Sequence, residues 1–294
     1  MFLIAVLCVF IPFCGMLLIA CTGLFNEVEL EIGLQHYAEK TWLPFCSFMP
    51  LNTCINIAYI GLGLNWLAMA KASSEQGILK GRDTFLFYTF NLMSIVYGFV
   101  QLFRIVSQQL LWGVMDQWCT FPFFSLLLVW GLYYQHGWST QRAGFIMLLS
   151  SFSYALSLCF SLGFELALGV HILGALYAAR VAYVRHPAVG CLSSFYLALL
   201  SCIGFVVLKL LDHQLPNICF LFRFVSGHFL SKICDVYQIH FVNHFFFDLT
   251  LQKAADNSRV EQNKFFEHFE KNDYFQRSFS NDIMYEMVSR PINK

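Results

Sequence analysis

Apolar residues fall into eight long runs, each near the roughly 20 residues a helix needs to cross a hydrocarbon core. The runs cover 1–23, 45–70, 84–105, 115–135, 142–162, 164–184, 192–211 and 222–247. Where water is absent, a segment must satisfy its own backbone hydrogen bonds, so runs of this length predict helices. The pattern predicts an all-α fold, an integral membrane helical bundle of seven core transmembrane helices plus one N-terminal transmembrane helix. Run 1–23 has a second reading, a secretory signal peptide. It lacks basic residues at its start, its apolar stretch is too long and Pro12 interrupts it, so a retained helix is preferred.

Composition agrees with this pattern. Only 12% of the 294 residues are charged and 58% are apolar, against roughly 25% charged in soluble domains. Residues 248–294 hold 15 of the 36 charged residues. The chain therefore divides into a multi-pass transmembrane domain, 1–247, and a polar C-terminal tail, 248–294. A soluble fold of this size has no interior large enough for so much apolar surface. A soluble enzyme, a nucleic-acid binder and a disordered regulator are excluded, and the expected partners are membrane lipids. Protein partners are not indicated. The eleven cysteines include no CxxC pair, and most lie inside apolar runs, where a thiol acts as a small hydrophobe. No Asn-x-Ser/Thr sequon is present. Gly61 and Gly63 are read as sites of close helix packing within the bundle.

Lysine and arginine in the loops set the orientation. One side carries Lys40, Arg104 and Arg223, and the other Lys71, Lys80, Arg82, Arg142, Arg180, Arg185 and seven more in the tail. The richer side is expected to be cytoplasmic, with both termini there. The compartment is read no further than endomembrane or plasma membrane.

The chemistry lies in polar residues inside the spans, because each is costly in hydrocarbon and needs a reason. Asn52 and Asn56 share one face of span two, and Gln101 and Arg104 lie at the end of span three. Asp116 opens span four, and Glu165 opens span six with His171 two turns deeper. Lys209, Asp212 and His213 close span seven, and His228, Lys232 and Asp235 occupy one face of span eight. On the expected topology these residues form one polar layer in the outer third of the membrane, and no second layer is read at the cytoplasmic end. The plain alternative is that Arg104, Asp116, Glu165 and Asp212 snorkel or cap helix ends. Two functional readings remain. Asp116, Asp212, His228 and Asp235 are candidate metal ligands, a single zinc site needing three. Alternatively Arg104 and Lys232 balance the carboxylates in a network without metal, since a cation one turn from His228 repels a metal ion.

Several segments carry a resemblance. The run FVVLKLLDHQLPNICFLFRFVSGHFLSKICDVYQIH at 205–240 closely resembles the transmembrane protein 187 family. So do HYAEK at 36–40, MPLNTCINIAYIGLGLNWL at 49–67, VYGFVQLFR at 96–104, MDQW at 115–118, TFP at 120–122 and GFELALGVH at 163–171. This implies a multi-pass membrane protein whose molecular function is not defined. A more distant resemblance is to the superfamily of alkaline ceramidases and adiponectin-type receptors, seven-helix proteins with an intramembrane zinc. Asn52 and Asn56 are similar to its first core helix, Asp116 to the Asp of its third, Asp212 to the Asp before its last, and His228 to the first His of its HxxxH. The second His of that motif is Lys232, and Ile105, beside Arg104, stands where a further His belongs. Two of the three zinc ligands that the superfamily implies are thus missing, and two cations accompany the losses.

The leading expectation is a non-catalytic membrane protein binding lipid or a small ligand in its core, without a cofactor. The alternative is an intramembrane lipid amide or ester hydrolase, with Asp116 and His228 as catalytic candidates and Asp116, Asp212 and His228 as candidates for holding zinc. A transporter using the polar layer is the third reading. Glu27, Glu29 and Glu31 lie where ceramidases hold calcium and read as a solvated acidic loop. His240 and His244 read as an interfacial pair. In the tail, Phe265, Phe266 and Phe269 with Glu267 and Glu270 suggest a short amphipathic helix, and residues 285–288 have the form of a Tyr-x-x-apolar signal.

Overall fold

A computed structural model describes residues 1–30, 37, 39, 49–188 and 190–288, with the side chains at 223, 257 and 260–288 outside the description. Glu31 and Lys40, and the side chains of Arg223 and of the aromatic tail segment, therefore lie outside the described residues. All regular structure among the described residues is helical. The order is α1 (Phe2–Cys21), α2 (Pro50–Glu75), α3 (Arg82–Ser107), α4 (Leu110–His136), α5 (Thr140–Ser153), the short α6 (Leu156–Cys159), α7 (Gly163–Arg185), α8 (Cys191–Leu210), the short α9 (Leu215–Ile218), a 3-10 turn (Phe220–Arg223) and α10 (Gly227–Val288).

Six of these are long and apolar enough to cross a membrane: α1, α2, α3, α5 continued through α6, α7 and α8. Their outward faces are covered with large apolar side chains, including Leu18, Phe145, Phe152, Val170 and Leu200. Water would penalise that surface heavily, and hydrocarbon accepts it. The protein is an all-helical integral membrane protein.

Three boundaries differ from the sequence expectation, each for a local reason. Span four starts at Leu110, not 115, because Gln108 adopts a left-handed φ of 52° that ends α3 and lets a new helix begin at once. Asp116 therefore lies well inside α4 instead of opening it. Span five breaks after Ser153. Ser151 and Ser153 turn their hydroxyls back onto the carbonyls of Met147 and Ser150, a bonding pattern that bends helices. Tyr154 then inserts fully between Phe25 and Trp118. Span eight begins as α-helix at Gly227 instead of 222.

The chain divides into two units, Met1–Thr250 and Leu251–Lys294. Within the first, α2 and α3 pair closely. A Cβ at Gly63 would stand 2.9 Å from the Asn91 carbonyl oxygen, and one at Gly98 would stand 3.1 Å from that of Asn56. Gly61 has open space instead, which corrects the expectation that both glycines serve packing. The first six turns of α10 run down the centre of the bundle. Trp130 of α4 stacks on Phe246 of α10 at 4.1 Å with the rings nearly parallel, and Ile239, Asn243, Phe245 and Leu249 are buried. These contacts fix the rotation of α10 and hence where its polar face points.

Candidate functional site

The polar residues of the first layer are assembled from the N-terminal end of α2 inward. Pro50 stands in the first turn of α2, where its missing N–H costs nothing. The next N–H groups have no partner inside the helix. Glu39 supplies one: its carboxylate accepts from Leu51 N at 2.8 Å, Asn52 N at 3.0 Å and Asn52 Nδ2 at 2.6 Å. Glu39 is buried, and its charge lies at the positive end of the helix dipole. One turn deeper, Asn56 donates Nδ2 to the Asn52 carbonyl at 3.0 Å. Its own carbonyl oxygen then accepts from Lys232 Nζ of α10 at 3.1 Å. Asn56 thus relays between a helix terminus and a buried ammonium.

Lys232 is 5% exposed. Asp116, Arg104, Lys209 and Asp235 all lie near enough for their charges to act on it. None of these four is its hydrogen-bond partner; the Asn56 amide holds it instead. Asp235 accepts from the hydroxyl of Tyr59 at 2.8 Å, and that hydroxyl also reaches the Lys232 carbonyl. Arg104 Nη1 bonds Asp116 Oδ2, a buried ion pair joining α3 to α4. Asp212 is buried and accepts from the backbone N–H of His228 at 2.8 Å, while Ser226 accepts from Phe229 N at 3.1 Å. Both act as caps where α10 begins. The ring of His228 meets Tyr37 edge-on at 4.6 Å and faces the charges of Lys232, Lys209 and Arg104.

Of the remaining candidates, Gln101 is buried among α3 contacts, and the Lys209 ammonium lies 5.9 Å from the Phe205 ring. His213 is exposed. The side-chain oxygens Asn52 Oδ1, Gln101 Oε1 and Asp116 Oδ1 are buried without a hydrogen-bond partner among the described residues. Span six does not join the layer. Glu165 is exposed and lines a polar cavity of about 180 Å³ with Glu27 and Glu29, and His171 binds Ser150 Oγ at 3.0 Å.

The distant superfamily resemblance implies zinc, and the donor set does not fit it. Among the described residues no three His, Cys, Asp or Glu side chains converge on a metal position. Asp116 is occupied by Arg104, Asp212 by the start of α10, and His228 faces three cations. A divalent ion at His228 would be repelled by those charges.

A second polar layer exists, which corrects the reading of only one. Asn91 of α3 and Asn243 of α10 are both fully buried and exchange amide hydrogen bonds at 2.8 and 3.2 Å. Trp66 Nε1 donates to His240 Nδ1 at 3.3 Å, and His244 meets the same indole edge-on. The two histidines are therefore packed on Trp66 of α2. Glu39, Tyr59, Asn91 and Asn243 went unread in the sequence. The asparagines carry the signal that flagged Asn52, a primary amide inside an apolar run.

Apart from these layers, a cleft of about 520 Å³ opens between α1 and α5, with α3 and α4 as its floor. Its lining is almost wholly apolar and includes Leu7, Pro12, Met93, Phe123, Met147 and Leu148. Thr89, Tyr97, Thr140 and Ser151 are its hydroxyl-bearing members.

Comparison with known proteins gives one consistent result. The model of the TMEM187 protein family matches residues 5–247. Transmembrane protein 187 of Bos taurus is 42% identical over 224 residues, covering 75% of this chain and 86% of the relative. Transmembrane protein 187 of Homo sapiens is 39% identical over 222 residues, covering 75% and 82%. No solved structure matches.

Proposed function

The chain belongs to the TMEM187 family, and from that premise we propose that it is a non-catalytic multi-pass membrane protein holding a lipid chain in the cleft between α1 and α5. The observation that carries the reading is the cleft itself. Its volume, about 520 Å³, lies within the roughly 300–1,000 Å³ of ligand pockets. Both of its walls are helices apolar enough to cross a membrane, and both expose apolar side chains away from the cleft, such as Leu18 of α1 and Phe145 of α5. A slot between two such walls is open to acyl chains and closed to polar solutes.

The polar layers serve the bundle in this reading. Arg104 neutralises Asp116, Tyr59 holds Asp235, and Asp212 caps α10, so the carboxylates already have structural work. Lys232 contributes a cation where the hydrolases have a ligand. We further infer eight membrane crossings, with α4 and the first turns of α10 completing the set, and both termini on the cytoplasmic side, from the lysine and arginine distribution.

The test is lipid retention. Protein purified in mild detergent is compared with Gly144→Phe, which drives a ring into the cleft from α5 at a position with nothing within 4 Å of a new Cβ. Native mass spectrometry should find phospholipid on the wild type and a clear loss on the variant. Equal retention by both proteins would refute cleft binding.

A further inference from the structure

The cleft is apolar along its length, and two arginines adjoin the residues that line one end. Trp138 and Thr140 line that end, together with Phe85 and Ile4. Two guanidinium groups flank Trp138. Arg82 of α3 lies over its ring at 4.7 Å and over Phe85 at 5.9 Å. Arg142 of α5 donates from Nη2 to the Gly137 carbonyl at 2.6 Å and to the Leu132 carbonyl at 3.5 Å, which leaves its other guanidinium nitrogens for a ligand. Neither arginine forms an ion pair among the described residues. The nearest carboxylate in sequence, Asp83, is buried and accepts from the Tyr133 hydroxyl at 3.2 Å. Both arginines are partly exposed, and each adjoins the lining: Arg82 through the Trp138 ring, and Arg142 as the chain neighbour of Ala143.

The first turn of α5 adds to this field. Ser139 caps it by accepting from Arg142 N at 3.3 Å, and the N–H groups of Thr140 and Gln141 lack intrahelical partners. The positive end of the helix dipole therefore faces the same side as the two cations. Guanidinium groups bind phosphate oxygens through paired N–H donors, and here two of them stand beside an indole at the mouth of an apolar slot.

We propose that this end of the cleft binds the phosphate-bearing headgroup of an anionic glycerophospholipid, read by Arg82 and Arg142, with one of its acyl chains lying in the cleft. The inference rests on the cleft being a lipid site, as proposed above, and adds the lipid class. Charge complementarity selects that occupant. A zwitterionic headgroup brings its own cation into a site that already holds two, and a sterol offers nothing for them to bind.

The experiment uses full-length protein in detergent micelles doped with equal amounts of phosphatidylglycerol and phosphatidylcholine bearing the same acyl chains. Native mass spectrometry counts each lipid bound. One basic residue near a membrane surface contributes roughly 1 kcal/mol toward an anionic lipid, so two predict about a tenfold or greater preference for phosphatidylglycerol. Arg82→Gln with Arg142→Gln should abolish the preference while lipid uptake continues, and Arg82→Lys with Arg142→Lys should keep most of it. Equal binding of both lipids by the wild type, with uptake still lost in Gly144→Phe, would overturn the headgroup assignment and leave the cleft reading intact. Uptake unchanged by Gly144→Phe and by Leu7→Trp on the opposite wall would overturn both.

Discussion

Lys232 of α10 donates to the side-chain carbonyl of Asn56 of α2 at 3.1 Å, and both residues are shut inside the bundle. A buried ammonium held by a neutral amide is a demanding arrangement, because Asp116 and Asp235 act on it through their charges while Asn56 takes its hydrogen bond. Removing Asn56 should therefore do more harm than removing Lys232. Asn56→Leu leaves a buried ammonium without its hydrogen-bond acceptor, at a cost above the roughly 1–3 kcal/mol of an unpaired neutral group. Lys232→Met leaves a carbonyl oxygen unpaired, at a cost of about 1–3 kcal/mol. The double variant should be more stable than Asn56→Leu alone. Thermal unfolding of the four proteins in one detergent measures this, and simple addition of the two losses would show that the pair is not coupled.

Arg104 and Asp116 lend themselves to the same kind of cycle. Their ion pair joins α3 to α4, and both side chains are mostly buried. Each single change, Arg104→Met or Asp116→Leu, strands one charge and should lower stability by about 3–5 kcal/mol. The combined variant removes both charges at once and should recover most of the loss. If the combined variant melts below both single ones, the pair contributes more than mutual neutralisation, and the reading of Arg104 as a counter-charge is wrong.

The helical membrane character was legible because it depends on run length alone. An apolar stretch of about 20 residues has few options in hydrocarbon. Helix rotation was not legible. In a helix apolar on all sides, periodicity does not mark which face turns inward. Lys232 was visible as a cation on one face, but its partner depends on how α10 is rotated, and that is fixed by Trp130 against Phe246. Glu39 was visible in the HYAEK segment, but its role requires the α2 terminus to lie beside it. Asn91 and Asn243 are 152 positions apart, and no local pattern links them. The start of α4 was misread because Gln108 and Gln109 form the whole break, and the apolar residues 110–114 continue directly from it.

Gly61 and Gly63 make a sharp pair for testing helix proximity. A Cβ at Gly63 meets Ile95 Cγ1 at 2.6 Å and the Asn91 carbonyl oxygen at 2.9 Å, whereas Gly61 faces open space. Gly63→Ala should push α2 from α3, strain the Asn91–Asn243 contact and lower stability by about 1–3 kcal/mol, the usual range for overpacking. Gly61→Ala should be neutral or slightly stabilising, since alanine is the better helix former. Detergent melting temperatures of the two variants separate the cases. Similar losses at both positions would mean that backbone flexibility, not helix contact, sets the requirement for glycine.

Metal content gives the most direct test of the non-catalytic reading. Four carboxylates, Glu39, Asp116, Asp212 and Asp235, and one histidine sit in the first layer, enough donors in number for a zinc site. Their engagements work against it. Asp116 is neutralised by Arg104, Asp212 accepts from the α10 backbone, and His228 faces Lys232, Lys209 and Arg104. Protein purified without chelator should therefore carry far less than one zinc per chain. Lys232→His is the stronger test, since it places a second imidazole one turn from His228 and removes one of the cations that face it. If the remaining engagements govern the site, this variant still fails to load zinc. If zinc arrives with that single change, Lys232 alone was excluding the metal, and the chain stands one substitution from a hydrolase-type donor set.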